Sequence, residues 1–321
     1  MSLDAIAVEK IIYLGPPEAL VSAREVLEPL WTVVAPQPTA EAVSLHLADA
    51  IAIVDASMQV TFDQPLLDQA PNLRGISTAT TGADHIDAKF LAERGVPLLT
   101  LAGEKEILHN LTPAAELSWA LLMACSRQFR GAVRDVLEGH WMREKFPGVM
   151  LKGKLLGLIG CGRIGSWMAR YARAFDMDVI GYDPYADVVP DQIRKTELDN
   201  LLSSADFVSV HVPLNEQTRG MLGQREFARM KPGAIFINTS RGAVTDEDAL
   251  LAALIEGRLA AAGIDVLEGE PNIDLHPLVE YARTHDNLII TPHIGGFSPD
   301  AVKVVVRHAS QRVFKVLKAT H

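Results

Sequence analysis

The stretch Lys154-Leu155-Leu156-Gly157-Leu158-Ile159-Gly160-Cys161-Gly162-Arg163-Ile164-Gly165 decides the fold. A short apolar run, Leu155–Ile159, ends in G-x-G-x-x-G at Gly160, Gly162 and Gly165. Ile164, Met168, Tyr171 and Phe175 then recur at i, i+4, i+7 and i+11, one face of a helix. Three glycines alone are a weak signal, but between a strand and a helix they have the context of a dinucleotide-binding βαβ unit. The first glycine makes the tight turn, the second lets backbone amides approach a pyrophosphate, and the third allows close helix–strand packing. The helix N-terminus adds free N–H groups and partial positive charge. Eighteen residues past Gly165 stands Asp183, in Gly181-Tyr182-Asp183-Pro184-Tyr185. A carboxylate there accepts hydrogen bonds from ribose hydroxyls and repels a 2′-phosphate. No Arg or Lys follows it before Arg194, so the pattern favours NAD over NADP. Cys161, inside the loop, reads as a small packed apolar residue.

Working outward, short apolar runs recur at Ile11–Leu14, Ile51–Val54, Val179–Tyr182, Phe207–Val210, Ala234–Ile237 and Leu288–Ile290. Helical segments lie at Pro113–Arg127, Ile164–Phe175, Asp246–Glu256 and Pro299–Leu317. Strands alternating with helices predict an α/β fold with mostly parallel sheets, and continuously apolar strands fit burial on both faces. The chain falls into two such blocks, with polar Gly103-Glu104-Lys105-Glu106 as one crossing point and Gly295-Gly296 as a second hinge. A final helix returning to the first block would make that block discontinuous. No internal repeat or low-complexity segment is evident.

Composition bounds the function. With 321 residues, 48% hydrophobic and 22% charged, the chain can bury a sizeable core, and disorder is excluded. A net charge of −10 argues against nucleic-acid and anionic-membrane partners. No apolar run approaches membrane-helix length. The start, Met1-Ser2-Leu3-Asp4-Ala5, shows no signal-peptide pattern, so a cytoplasmic location is expected. Two cysteines, Cys125 and Cys161, make neither a disulfide framework nor a zinc site, and no metal is expected.

Three polar residues lie near the ends of later predicted strands, where open α/β sheets bind ligands: Arg241, Glu270 and His293. Hydride transfer at a carbinol carbon needs a proton partner for the oxygen, a task suited to histidine. It also needs a cation for a substrate carboxylate, and arginine offers a bidentate fork. A carboxylate beside the imidazole orients it and favours its charged form. Taken singly, each of the three also reads as a structural or solvated residue, and spacing does not show that they converge.

Together these motifs make the chain resemble the D-isomer-specific 2-hydroxyacid dehydrogenases. The resemblance runs from about Leu73 to the C-terminus and is carried by Gly160–Gly165, Tyr182-Asp183-Pro184 and Val210-His211-Val212-Pro213-Leu214 with Thr218. It continues through Met230-Lys231-Pro232-Gly233, Asn238-Thr239-Ser240-Arg241-Gly242, Asp265-Val266, Glu270-Pro271 and Thr291-Pro292-His293-Ile294-Gly295-Gly296. It implies two Rossmann-like doubly wound domains, an NAD-binding domain at 107–296 inserted into a discontinuous substrate domain at 1–106 and 297–321. The active site is then expected in the cleft between them, in a homodimer. It assigns Arg241 to substrate binding, Glu270 and His293 to the acid/base pair, and Asp265 to the nicotinamide carboxamide. Gly160, Gly162, Arg163, Ile164, Gly165, Asp183, Val212, Pro213, Thr218, Thr239, Ser240, Gly295 and Gly296 are the remaining cofactor positions. Loop Thr78–Asp87, chiefly Ala79, Thr80, Thr81 and Gly82, matches the segment whose amides hold a substrate carboxylate.

The implied activity is hydride transfer between NAD(H) and a small 2-hydroxy or 2-oxo acid. Phosphoglycerate enzymes of the family tend to carry Arg-Ser where this chain has Asp55-Ala56, and an acidic residue is a poor neighbour for phosphate. Lys105 and Arg143 keep a larger acidic substrate in view. The sequence ends about 25 residues past Gly296, so no appended regulatory domain is expected. The segment Ala102–Asn110 is longer than the common connection and is expected near the cleft entrance. Competing readings are a phosphoglycerate dehydrogenase, a non-catalytic NAD(H)-sensing protein like the C-terminal-binding-protein corepressors, and a formate-type dehydrogenase, whose long N-terminal segment is missing.

Overall fold

A computed structural model describes residues 9–319; the opening five residues read above for a signal peptide lie outside them. Five parallel strands form a first sheet: β1 (Lys10–Leu14), β2 (Thr32–Val34), β3 (Ala50–Asp55), β4 (Gly75–Thr78) and β5 (Leu98–Leu99), in the order β2-β1-β3-β4-β5. Seven parallel strands form a second: β6 (Leu155–Ile159), β7 (Asp178–Tyr182), β8 (Arg194–Lys195), β9 (Phe207–Val210), β10 (Ala234–Asn238), β11 (Leu259–Ile264) and β12 (Leu288–Ile290), in the order β12-β11-β10-β9-β6-β7-β8. Both are doubly wound. In the first sheet the chain lays β2 on one side of β1 and β3 to β5 on the other. In the second it does the same around β6, with β7 and β8 to one side and β9 to β12 to the other.

Burial follows from that topology. Ala50–Asp55 and Ala234–Asn238 are buried at every position, as strands covered by helices on both faces must be. Two compact units result. Unit 1 comprises the chain up to Leu111 and from Ser298 onward; unit 2 is Thr112–Phe297. In unit 1 the helix Pro299–Ala319 sets Val302, Val306, Ala309, Val313 and Leu317 against Ile11, Val33 and Ile51. The first division falls after Leu111 rather than in the polar stretch 103–106. The segment singled out above forms a short helix, Lys105–His109, and Ile107, Leu108 and Leu111 pack on the core of unit 1. No helix among the described residues is long and apolar enough to cross a membrane.

Candidate active site

In unit 2 the glycine loop joins β6 to the helix Arg163–Ala174. Gly160 has φ +93°, and a Cβ there would lie 2.5 Å from the His211 carbonyl oxygen. A Cβ on Gly165 would lie 2.3 Å from the Gly160 carbonyl oxygen, whereas one on Gly162 meets nothing within 4 Å. Two glycines are therefore demanded by the protein's own packing, and the middle one leaves open space beside the loop. Gly162 is the helix N-cap and supplies no side-chain cap. The first-turn amides thus face that space, as a pyrophosphate requires. Asp183 directly follows β7 and its Oδ2 accepts the Cys161 N–H at 3.0 Å, while Oδ1 accepts from the N–H groups of Tyr185 and Ala186. The carboxylate is thereby fixed at the edge of the loop. Cys161 is buried, its Sγ filling the space above Gly181, and burial pushes its thiol up to about 11, which suits a packing role. These residues fit an NAD-type dinucleotide.

Arg241 is presented by a turn built on Asn238, the last residue of β10. Asn238 Oδ1 accepts from the N–H and hydroxyl of Ser240, and its Nδ2 donates to the Arg241 carbonyl (3.0 Å) and to Thr245 Oγ1. The Arg241 guanidinium donates to the Ser240 carbonyl at 2.7 Å. Gly242 follows because a Cβ there would sit 2.2 Å from the backbone of Leu267 and Glu268. The arginine turn is thus pressed against the segment that carries Glu270.

Glu270 Oε1 pairs with His293 Nδ1, and its Oε2 accepts the Leu267 N–H at 3.1 Å. The pair is only partly screened, with 28% of the His293 side chain and 33% of the Glu270 side chain exposed. His293 sits at φ +53°, a conformation uncommon for a residue with a Cβ. It is held there by Asp265. The Asp265 carbonyl accepts the His293 N–H at 2.9 Å. Its carboxylate accepts from Thr291 Oγ1, Ile294 N–H and Gly295 N–H. Asp265 is 1% exposed. Burial pushes its carboxyl above the ordinary range, opposed by those three hydrogen bonds and by the charge of His293. Asp265 thus fastens the histidine loop, a role the sequence reading did not give it, and Gly295 lets the loop close on its carboxylate.

Several expected cofactor positions have their side chains engaged within the protein. Thr218 Oγ1 donates to the Pro213 carbonyl and accepts the Asn215 N–H, closing the turn after β9. Thr239 Oγ1 pairs with Ser118 Oγ at 2.7 Å, and Ser240 serves Asn238. Val212 packs beside Gly160, and Gly296 has open space where a Cβ would be. Arg163 and Ile164 open the helix after the loop. His211 is enclosed: burial pushes its imidazole down to about 3, so it is neutral, and its Nε2 pairs with Ser209 Oγ. Asn238 and Thr291 were missed by sequence reasoning. Their one signal is a polar residue at the end of, or just past, an otherwise apolar strand.

In unit 1 the loop 79–82 follows β4. Ala79 corrects an expectation: its N–H donates to the Asp55 carbonyl at 2.7 Å, so it extends the β3–β4 ladder and has no amide to offer a substrate. No acceptor engages the N–H groups of Thr80, Thr81 and Gly82 among the described residues. Thr80 Oγ1 donates to the Gly82 carbonyl at 2.6 Å and the Leu101 N–H to the Thr80 carbonyl, which fixes the loop.

A glycine-loop nucleotide site with an imidazole–carboxylate pair and a guanidinium at neighbouring strand ends defines a nicotinamide-dependent oxidoreductase. Comparison with known proteins gives the family. Residues 119–295 match the D-isomer specific 2-hydroxyacid dehydrogenase NAD-binding domain and residues 20–106 its catalytic domain. The hydroxypyruvate reductase of Thermotoga maritima is 36% identical over 267 residues, covering 83% of this chain and 84% of that one. The D-3-phosphoglycerate dehydrogenase of Methanocaldococcus jannaschii is 36% identical over 92% of this chain, which spans only 55% of that protein's length. The crystal structure of Aquifex aeolicus D-lactate dehydrogenase, complexed with NAD and lactic acid, superposes with a TM-score of 0.82 at 27% identity, covering 96% of each chain. The chain belongs to the D-isomer-specific 2-hydroxyacid dehydrogenases, NAD-dependent oxidoreductases acting on the CH–OH group of donors.

Proposed function

We propose that this chain reversibly reduces a small 2-oxo acid to the D-2-hydroxy acid, with His293 as proton donor, Glu270 as its partner and Arg241 as carboxylate ligand. The observation that carries this reading is the His293–Glu270 pair, set on a loop that buried Asp265 fastens at three points. Glu270 accepts from Nδ1, which leaves Nε2 of the imidazolium as the proton donor to the substrate oxygen. Bound NADH supplies the hydride to the oxo carbon. Arg241 holds the carboxylate through its planar fork and draws electron density from the adjacent carbonyl. The N–H groups of Thr80, Thr81 and Gly82, on unit 1, are assigned to the same carboxylate. Unit 2 holds the dinucleotide at Gly160–Gly165 and Asp183, and unit 1 is the substrate domain. Hydroxypyruvate and glyoxylate are the first substrates to try, since a hydroxypyruvate reductase aligns over most of both chains.

The chain is further proposed to work as a cytoplasmic homodimer. Phe129, Val133, Val136 and Leu137 on the helix Phe129–Leu137, with Trp141 and Met142 beyond it, are exposed apolar residues clustered on one segment of unit 2. Both cysteines are free and buried, as suits a reducing compartment.

The test is NADH oxidation against glyoxylate, hydroxypyruvate, pyruvate and phenylpyruvate, repeated with NADPH and with His293→Ala. Fast NADH-dependent turnover of one acid that the variant loses by roughly 10²–10⁴ supports the mechanism. Turnover unchanged in the variant refutes it.

A further inference from the structure

We propose that unit 1 restricts the reaction to oxo and hydroxy acids bearing a single negative charge, and that Asp55 sets this limit. The inference rests on the function proposed above and names its substrate class. Because all five strands of the first sheet are parallel, the segments following them line one edge. These segments are residues 15–16, 35–39, 56–63, 79–87 and 100–104. None contains a lysine or arginine, and they bring Asp63, Asp84, Asp87 and Glu104 to that edge. The next cation along the chain, Lys105, is solvent-exposed.

The winding direction of this sheet reverses between β1 and β3. In open α/β sheets the crevice outside the carboxyl ends at such a point receives the ligand. Asp55 stands there, the last residue of β3 and fully buried. Its backbone carbonyl anchors Ala79, the residue before the amides of Thr80, Thr81 and Gly82. Its carboxylate has its donors already: Oδ1 accepts the N–H and the hydroxyl of Ser57 at 2.9 and 2.8 Å, and Oδ2 meets His85 Nε2 at 2.7 Å. Burial first, and then the charge of Asp55 on the neighbouring strand, push the Tyr13 phenol near the end of β1 above its ordinary range.

A phosphate or second carboxylate on the substrate needs a guanidinium, an ammonium or several free N–H groups to replace its water. At this edge it meets a buried carboxylate and no lysine or arginine. A hydrogen, methyl or hydroxymethyl group meets no such penalty. The loop amides therefore serve one carboxylate, and the rest of the substrate must be uncharged. His85 supports the arrangement: its side chain is 10% exposed, and its Nδ1 is buried without a partner among the described residues. It holds Asp55 in place through Nε2.

The experiment compares kcat/KM for hydroxypyruvate, phosphohydroxypyruvate and 2-oxoglutarate, with NADH, in the full-length protein and two variants. The unmodified protein is expected to use hydroxypyruvate about 10- to 100-fold better than either doubly charged acid. Asp55→Asn is expected to raise the phosphohydroxypyruvate-to-hydroxypyruvate ratio about tenfold, mainly through KM. Ala56→Arg, at the half-buried neighbour, sets a guanidinium at the same edge and should raise the same ratio, which tests the cation-free edge if Asp55→Asn folds poorly. Comparable use of all three acids by the unmodified protein overturns the inference while leaving the proposed reaction standing. So does a ratio unmoved by both variants, the outcome of a merely structural Asp55. Turnover of none of the acids overturns the proposed function and the selectivity with it.

Discussion

Replacing Gly162 by alanine should separate folding from cofactor binding. The new methyl group meets no protein atom within 4 Å. The backbone at this position has φ −71°, so no left-handed conformation is lost. Two opposing effects on stability remain. Alanine narrows the unfolded ensemble, worth about 0.4–1 kcal/mol in favour of the fold. Alanine is also a poorer N-cap than glycine by roughly 0.5–1 kcal/mol. They nearly cancel, so the melting temperature of the apoprotein should move by less than about 4 °C. NADH affinity, by contrast, should fall at least about tenfold, roughly 1.4 kcal/mol, because the methyl takes the space through which first-turn amides reach a pyrophosphate. Gly165→Ala is the paired control. Its Cβ would stand 2.3 Å from the Gly160 carbonyl oxygen, so stability should drop by about 1–3 kcal/mol along with binding. Thermal melts of the apoprotein and calorimetric titration with NADH read both quantities. The reasoning fails if Gly162→Ala binds NADH as tightly as the unmodified protein, or if it melts as early as Gly165→Ala.

Arg241→Lys should lower kcat/KM by about tenfold or more, since an ammonium cannot reproduce two parallel hydrogen bonds to a carboxylate; steady-state kinetics with retained NADH affinity is the check. His211, pushed down to about 3 by burial, stays neutral in the folded protein while the unfolded chain takes up a proton below its ordinary pKa of 6.5. Stability should therefore decline as pH falls from 6.5 towards 3, by up to about 1.4 kcal/mol per pH unit from this group alone. His211→Gln should flatten that slope in chemical denaturation measured at pH 7, 6 and 5, and an unchanged slope would remove His211 as the cause. Leu137→Glu with Trp141→Glu places two charges on the exposed apolar segment of unit 2, and light scattering should then report a monomer where the unmodified protein gives a dimer. A monomer in both rejects that surface as the interface.

The strand–glycine–helix segment was legible because each of its constraints is local: an apolar strand, a turn that needs Gly160, a helix that needs Gly165. The strand β11 was not. Leu259-Ala260-Ala261-Ala262-Gly263-Ile264 has a single β-branched residue, Ile264, and it is extended because β10 and β12 pair with it on either side. The short strands β2, β5 and β8 carry too few residues for a periodicity. At the site, the residue types of Glu270 and His293 were readable, but not their contact. That contact arises because the sheet sets the segments after β11 and β12 side by side. The same topology directs the Asp265 carboxylate into the histidine loop and consumes the Ala79 amide on Asp55. Long-range register of this kind leaves no mark on local pattern.

The anchoring of His293 by Asp265 has a consequence for how such a protein changes over time. The groups assigned to the proton, and Arg241 beside them, are carried by Thr112–Phe297, the unit that also holds the dinucleotide loop. The groups assigned to the variable part of the acid lie on unit 1, at the end of β3 and in the segments after β3 and β4. Drift in residues 56–63 or 79–87 can therefore retune which acid is accepted while the redox machinery is inherited intact. For the engineer, those two loops are the place to build a library, and Asp265 is the residue to leave alone.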